Sequence, residues 1–197
     1  MGDVRLAAES SVWYQCVLRG DIAAITVGAR SNIQDLTMVH VDEGVPCTVG
    51  ARVGVGHRCI LHGCTIEDDC LIGMGSILLN GVRVGAGSVI GAGAVVTEGM
   101  KIPPGSLVMG VPARIHRSVD DELRARIRLT VEHYVSLARL HAERNFARAQ
   151  GCRRAATDVC QVCDVNSREP AWRDDFFGVL AGTDDASRLL PRKSFLR

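Results

Sequence analysis

A six-residue period of branched aliphatic residues constrains this chain more than any other feature. A period of six fits neither an amphipathic helix nor a strand with alternating faces. It predicts a parallel β-helix, in which three short strands make one triangular coil and the aliphatic residue of each hexad points inward. The aliphatic positions are Val27, Ile33, Val39, Val49, Val55, Leu61, Ile66, Ile72, Leu78, Val84, Ile90, Val96 and Ile102.

The repeat divides the chain into parts, the first being a mainly β region over residues 1–117. A helix is predicted over residues 118–150, packed along the β-helix, with Ser118 as its N-cap and acidic residues in its first turn. Its apolar stripe, in which core packing is the favoured role for Tyr134, is Val119, Leu123, Ile127, Val131, Tyr134, Leu137 and His141.

Residues 151–197 carry no hexad phase and are predicted to be an irregular tail. Cys160 and Cys163 form a lone C-x-x-C pair, which is weak evidence for a metal or redox site. The apolar stretch 172–180 indicates a contact with a protein partner.

Two breaks in the phase of the repeat are informative. Between Val39 and Val49 the step is ten residues, and the excess of four falls in a turn-forming segment at 42–46. We therefore expect an outward loop there. Between Leu61 and Ile66 the step is five, so one hexad is short by one residue.

These breaks set the register of three histidines. His40 and His62 are 22 positions apart, or 18 without the loop excess, and 18 residues make one coil. The two histidines should therefore stack on one face, about 4.8 Å apart if coils are spaced like strands. The same subtraction places His57 one coil above Asp35 on the preceding face, so His57 points around a corner from the other two.

A site with all three histidines therefore requires a neighbouring subunit to present His57. A head-to-tail contact closes as a ring, and a triangular prism suits a homotrimer. Three imidazoles with an open fourth position are the ligand set of catalytic zinc, and Co²⁺ or Fe²⁺ accepts the same ligands. For any one histidine, a hydrogen-bonded surface role is the simpler interpretation, but the joint register favours a metal.

The composition excludes other classes of function. A net charge of +1 argues against a nucleic-acid partner. Every long apolar stretch is broken by glycine, and no signal peptide is visible, so we expect no membrane insertion and a cytoplasmic location. Cys59 and Cys70 occupy small inward positions and are interpreted as buried thiols of a reducing compartment.

Four stretches resemble the gamma-class carbonic anhydrase family: VWYQCVLRGD, NIQDLTMVH, VGHRCILHGCTIEDDCLIGMG and PPGSLVMGVPARI. The resemblance runs from about residue 2 to residue 150. It implies a left-handed parallel β-helix that forms a homotrimer with zinc at each subunit interface. At least one N-terminal coil of the family is expected to be missing before Met1, and a longer natural chain would allow a mitochondrial matrix location.

Carried residue by residue, the resemblance implies a ligand set that agrees with the register. His40 and His62 would bind the metal from one subunit, and His57 from the next. The family's arginine and aspartates match Arg19, Asp21 and Asp35, for which a structural ion pair is as good an interpretation as a catalytic role. Its zinc-neighbouring glutamine matches Gln34.

The chemistry implied is reversible hydration of carbon dioxide to bicarbonate by zinc-bound hydroxide, which Gln34 would orient. Two departures from the family's pattern weaken the expectation of carbon dioxide hydration. Ile22 follows the Arg-Gly-Asp triplet, where active members carry glutamate, and Glu43, in a shortened loop, is the one candidate for the proton shuttle. The alternatives are a non-catalytic assembly subunit, as gamma-like chains are in mitochondrial complex I, and a hexapeptide-repeat acyltransferase.

Overall fold

The computed structural model of the chain describes residues 1–143, which form a parallel β-helix with one α-helix packed on it. The predicted mainly β fold class is therefore confirmed. The predicted last turns of the helix, 144–150, and the predicted tail with Cys160, Cys163 and the stretch 172–180 lie outside the described residues.

The elements follow the hexads. The strands are β1 (Gly2–Leu6), β2 (Ser11–Val12), β3 (Val17–Val27), β4 (Asn32–Ile33), β5 (Met38–His40), β6 (Cys47–Val49), β7 (Gly54–Val55), β8 (Ile60–His62), β9 (Thr65–Ile66), β10 (Leu71–Ile72), β11 (Ile77–Leu78), β12 (Arg83–Val84), β13 (Val89–Ile90), β14 (Val95–Val96), β15 (Lys101–Ile102), β16 (Ser106–Gly110) and β17 (Ala113–Ser118), and the helix is α1 (Asp121–Glu143).

The inward aliphatic residues stack coil upon coil into one core. On one face of the prism, for example, Val39 pairs with Leu61, Leu61 with Leu78 and Leu78 with Val96, all in parallel register. Each of these four residues is fully buried. Burial raises the pKa of the Cys59 thiol to about 11 and that of the Cys70 thiol to about 12, in line with the predicted buried thiols.

Both breaks in the repeat lie where they were predicted. The segment after β5 turns outward and is closed by an antiparallel bridge between Asp42 and Val45. The hexad that is one residue short turns its corner at Gly63. The φ of this residue is 53°, a left-handed conformation that glycine adopts without a Cβ clash.

Helix α1 begins later than predicted. Ser118 is the last residue of β17, which pairs antiparallel with β16, so its predicted role as N-cap is wrong. Asp120 is the N-cap, because its Oδ1 accepts the Leu123 N–H at 2.9 Å. That bond, assisted by Arg117, lowers the pKa of the Asp120 carboxyl. Within the described part of the chain, no helix is long and apolar enough to cross a membrane.

The outward positions distinguish the three faces of the prism. The first face, here called the polar face, is formed by Thr26, Thr48, Thr65, Arg83 and Lys101. The second face is covered by α1 and by Val119 just before it, so that Val89 and Leu107 are buried against Val119 and Ile127. The third, the apolar face, is formed by Val17, Met38, Ile60, Ile77 and Val95.

Candidate metal centre

His40 and His62 lie side by side on the apolar face. They end strands β5 and β8, which pair in parallel so that the two residues are direct neighbours in the register. The ring centroids are 5.0 Å apart, and His40 Nδ1 lies 3.1 Å from His62 Nε2. The stacking predicted from residue counting is therefore confirmed.

Each ring is held from its outer side by an oxygen. The His62 Nδ1–H donates to Asn80 Oδ1 at 2.7 Å, and the His40 Nε2–H donates to Asp21 Oδ1 at 3.2 Å. An imidazole that carries its hydrogen on the outer nitrogen presents a lone pair on the inner one. When both rings are neutral, the two inner nitrogens therefore face each other as lone pairs.

His57 lies at the corner between the apolar face and the helix-covered face. Its Nδ1 contacts Asp35 Oδ2 at 2.9 Å, as expected from their separation by one coil. Its Nε2 lies 3.4 Å from the Tyr134 hydroxyl of α1, and the Tyr134 ring packs edge-on against Trp13. Burial, with a contribution from the Asp35 charge, raises the pKa of Tyr134. Tyr134 thus has a polar contact with His57 besides packing in the helix stripe.

A single copy of the chain brings two of the three predicted ligands together. Among residues 1–143, no three histidine, cysteine, aspartate or glutamate side chains converge on a point that suits a metal ion. His57 is separated from the His40–His62 pair because it follows β7, which belongs to a different sheet from β5 and β8.

Arg19 and Asp21 act on the same ring cluster. Arg19 is next to His40 in the register and its guanidinium contacts Asp21 Oδ2 at 2.5 Å within the same chain. This hydrogen bond lowers the pKa of Asp21, and the contact with His40 acts in the same direction. Asp21 therefore stays ionised as the acceptor for the His40 ring.

The other predicted residues differ in their surroundings. Gln34 is buried, at 5% exposure, and its amide donates to Asn32 Oδ1 at 3.0 Å. Glu43 is exposed in the loop, where its backbone N–H donates to Asp42 Oδ1. The contact of Asn80 with His62 was missed by the sequence analysis, although Asn80 lies one coil above the short hexad at Gly63.

The donor chemistry of the histidine cluster fits a divalent metal ion. Two facing lone pairs at 3.1 Å repel each other unless a proton or a cation lies at them. Imidazoles whose outer N–H groups are held by oxygens are the usual arrangement of zinc ligands, because the oxygen fixes both the tautomer and the ring orientation. His57, held by Asp35, has the same arrangement.

Comparison with known proteins supports this interpretation of the fold. The family model "Bacterial transferase hexapeptide (six repeats)" matches residues 63–98. A probable carbonic anhydrase of Methanocaldococcus jannaschii is 45% identical over 138 residues, which are 70% of this chain and 87% of that protein. The mitochondrial gamma carbonic anhydrase 2 of Arabidopsis thaliana is 42% identical over 151 residues, which are 74% of this chain but 54% of that protein.

Solved structures give the same fold. A hexapeptide transferase family protein from Anaplasma phagocytophilum aligns with a TM-score of 0.69 and 38% sequence identity, over 71% of this chain and 82% of that one. The chain spans about half the length of the Arabidopsis relatives that it matches, at 54% and 55% of their residues.

Proposed function

The chain belongs to the gamma carbonic anhydrase family, and from that membership we propose that it is a zinc-dependent enzyme that reversibly hydrates carbon dioxide to bicarbonate. The observation that carries the proposal is the His40–His62 pair, whose inner ring nitrogens face each other at 3.1 Å while their outer nitrogens are held by Asp21 and Asn80. The zinc site is completed by the partner subunit's His57, in a homotrimer.

The apolar face supports the homotrimer. Val17, Met38 and Ile60 are 45%, 40% and 40% exposed, although they form a continuous column with two further aliphatic residues. An exposed apolar stripe of this kind marks an interaction surface. His40 and His62 stand two residues after Met38 and Ile60 on that face, so a copy that covers the stripe also approaches the two histidines.

Residues around the cluster have distinct roles in the proposed reaction. When bound by three imidazoles, zinc supplies a Lewis acid that makes water nucleophilic near neutral pH. Gln34 precedes Asp35 and lies in the same corner column as Trp13 and Gly56. Its amide is buried, and its proposed role is to orient a reactant by hydrogen bonding. Asp35 orients His57, while Arg19 keeps Asp21 ionised as the acceptor for His40.

Glu43 is proposed as the group that passes the released proton to solvent, because it is exposed in the loop that follows His40. In weak buffer, Glu43→Ala should lower turnover several-fold, and a high imidazole concentration should partly restore it. Zinc content should stay at the parent value, because Glu43 is not a ligand. Equal turnover of parent and variant in weak buffer would exclude this role.

The direct test combines metal content with activity on the same purified sample. We expect one zinc ion per chain, a trimeric mass, and carbon dioxide hydration that is lost on chelation and regained with zinc. A trimer without bound metal would contradict the proposed zinc site of three histidines. A zinc-loaded trimer that hydrates no carbon dioxide would instead support a non-catalytic gamma-like assembly subunit.

A second candidate, acyl transfer, rests on the His57–Asp35 pair. A histidine whose Nδ1 is held by a carboxylate is the arrangement of a general base, and Nε2 then points at the reacting group. Hexapeptide transferases share the fold of this chain. Transfer of the acyl group from an acyl-CoA to an amine or hydroxyl acceptor by the metal-free protein, with release of coenzyme A, and loss of this transfer in Asp35→Asn would favour this candidate over hydration.

A further inference from the structure

We propose that Asn80 is a positioning residue that selects the metal-binding tautomer of His62. This inference rests on the proposed zinc site, but it concerns a contact within one chain. Asn80 Oδ1 is 2.7 Å from His62 Nδ1, a short hydrogen bond for a neutral pair. Because a carbonyl oxygen only accepts, the hydrogen of the neutral ring is kept on Nδ1 and the lone pair on Nε2 faces His40.

The orientation of the Asn80 amide is itself fixed. Its Nδ2 donates to Asp42 Oδ2 at 3.2 Å, so the amide oxygen rather than the nitrogen faces His62. Asp42 is held in turn, because its Oδ1 accepts the Glu43 N–H at 2.9 Å and its backbone is bridged to Val45. Loop, amide and imidazole therefore form one chain of hydrogen bonds, from Asp42 through Asn80 to His62, in which the carboxylate polarises the amide.

The short hexad makes room for this contact. A Cβ on Gly63 would lie 2.4 Å from Asn80 Oδ1 and 2.8 Å from Val45 Cγ1. Any other residue at position 63 would push the amide away from the ring, and the φ of 53° would add backbone strain. The shortened step between Leu61 and Ile66 thus has a consequence at the site besides resetting the phase of the repeat.

The two ligands that lie together are held by different acceptors. His40 faces the ionised Asp21, whereas His62 faces a neutral amide. Acceptors of this kind usually account for a 10–100-fold difference in metal affinity. We therefore expect the loss of Asn80 to weaken zinc binding within that range, without removing a ligand.

The test is the zinc dissociation constant of the full-length chain, measured by competition with a chelator. Asn80→Leu keeps the side-chain volume and removes the acceptor, so its dissociation constant should rise about 10–100-fold. The double variant Asp42→Asn with Asn80→Asp exchanges the donor and the acceptor between these two side chains and keeps an acceptor oxygen toward His62, so its constant should return to within a few-fold of the parent. Glu98→Ala is the matched control, since Glu98 occupies the same corner one coil higher, is exposed, and should leave the constant unchanged.

A second measurement reads the tautomer directly in the metal-free protein. In the parent, the nitrogen NMR shifts of His62 should show the hydrogen on Nδ1, and in Asn80→Leu they should move toward the Nε2–H form. Asn80→Ala, which adds no bulk, is measured beside it in case the leucine perturbs folding. An unchanged tautomer, or an unchanged zinc constant, in the folded variants would overturn the inference. A parent protein that binds no zinc would contradict the proposed function. The tautomer of His62 would still show whether Asn80 positions that ring.

Discussion

The polar face and the apolar face of the β-helix are built from the same hexads, yet they carry opposite outward residues. Thr48 and Thr65 occupy on the polar face the position that Met38 and Ile60 occupy on the apolar face, each directly before an inward aliphatic residue. The inward columns behind them are equally buried. The inward residue of a hexad therefore determines the coil, whereas the outward residue determines what the coil can bind.

The faces also differ at the position directly after the inward residue. On the apolar face, His40 and His62 occupy that position with their outer nitrogens held by Asp21 and Asn80. On the polar face, Gly50 and Glu67 stand at the same position. The paired histidines and the exposed aliphatic side chains thus lie on the same face. Their shared position favours a metal site that is completed by another copy of the chain.

The strongest test of this difference is the loss of the predicted ligand that lies off the apolar face. His57→Ala should lose zinc as completely as His40→Ala, because each removes one of three protein ligands. Metal analysis of the purified trimers measures the result.

Mixing the two variants tests whether the ligands come from different chains. In a mixed trimer, one interface of three should combine an intact His40–His62 pair with the partner subunit's His57 and regain zinc. Zinc retained in full by His57→Ala, or no recovery in proven mixed trimers, would show that the apolar face does not share its site.

The next largest effect is expected for a charge placed on the apolar face. Ile60→Lys should dissociate the trimer, since an aliphatic side chain contributes about 1.5–3 kcal/mol when buried and the charge must be desolvated as well. Thr65→Lys on the polar face is the matched control and should stay trimeric. Light scattering after size exclusion gives the mass, and a trimeric Ile60→Lys would contradict the assignment of this face to the interface.

A smaller effect tests the claim that the two faces share one core. Leu61→Ala and Ile66→Ala truncate fully buried inward residues behind the apolar and the polar face. Each should lower the free energy of unfolding by about 2–5 kcal/mol, because each leaves a cavity in the core that the inward columns build together. Urea unfolding checks this: both variants should unfold in one cooperative transition, and separate transitions would mean that the faces have separate cores.

The smallest effect is expected away from both faces, at the start of α1. Asp120→Ala should lower the melting temperature at neutral pH, whereas Ser118→Ala should not, because Asp120 accepts the Leu123 N–H. The pKa of Asp120 is lower in the folded state than in the unfolded state. Its contribution to the stability of the fold is therefore present above the unfolded-state pKa and is lost as the pH falls through the folded-state pKa. Thermal unfolding of the two variants should therefore converge in acid, and equal melting temperatures at pH 7 would exclude the cap.

The sequence predicted those parts of the molecule that depend on counting. In a β-helix the register follows from the number of residues per coil, so the His40–His62 and Asp35–His57 contacts were readable from positions alone. Asn80 was not, because the register pairs Leu61 with Leu78, so that counting places Leu79 rather than Asn80 one coil above His62. Ser118 was mistaken for the cap, since nothing local indicates that β17 pairs back onto β16 and continues through that residue.

The closed loop between β5 and β6 has a consequence for changes in chain length. Its ends are joined by the bridge between Asp42 and Val45, and around Gly44 there is open space. Residues inserted at Gly44 would lengthen the loop without shifting any coil, so this point suits an added label or binding peptide. A single residue deleted between Val49 and Val55 would instead turn the side chains that follow by one position and carry His57 and His62 off their faces. The same chain therefore tolerates a change in length at one point and does not tolerate it a few residues later.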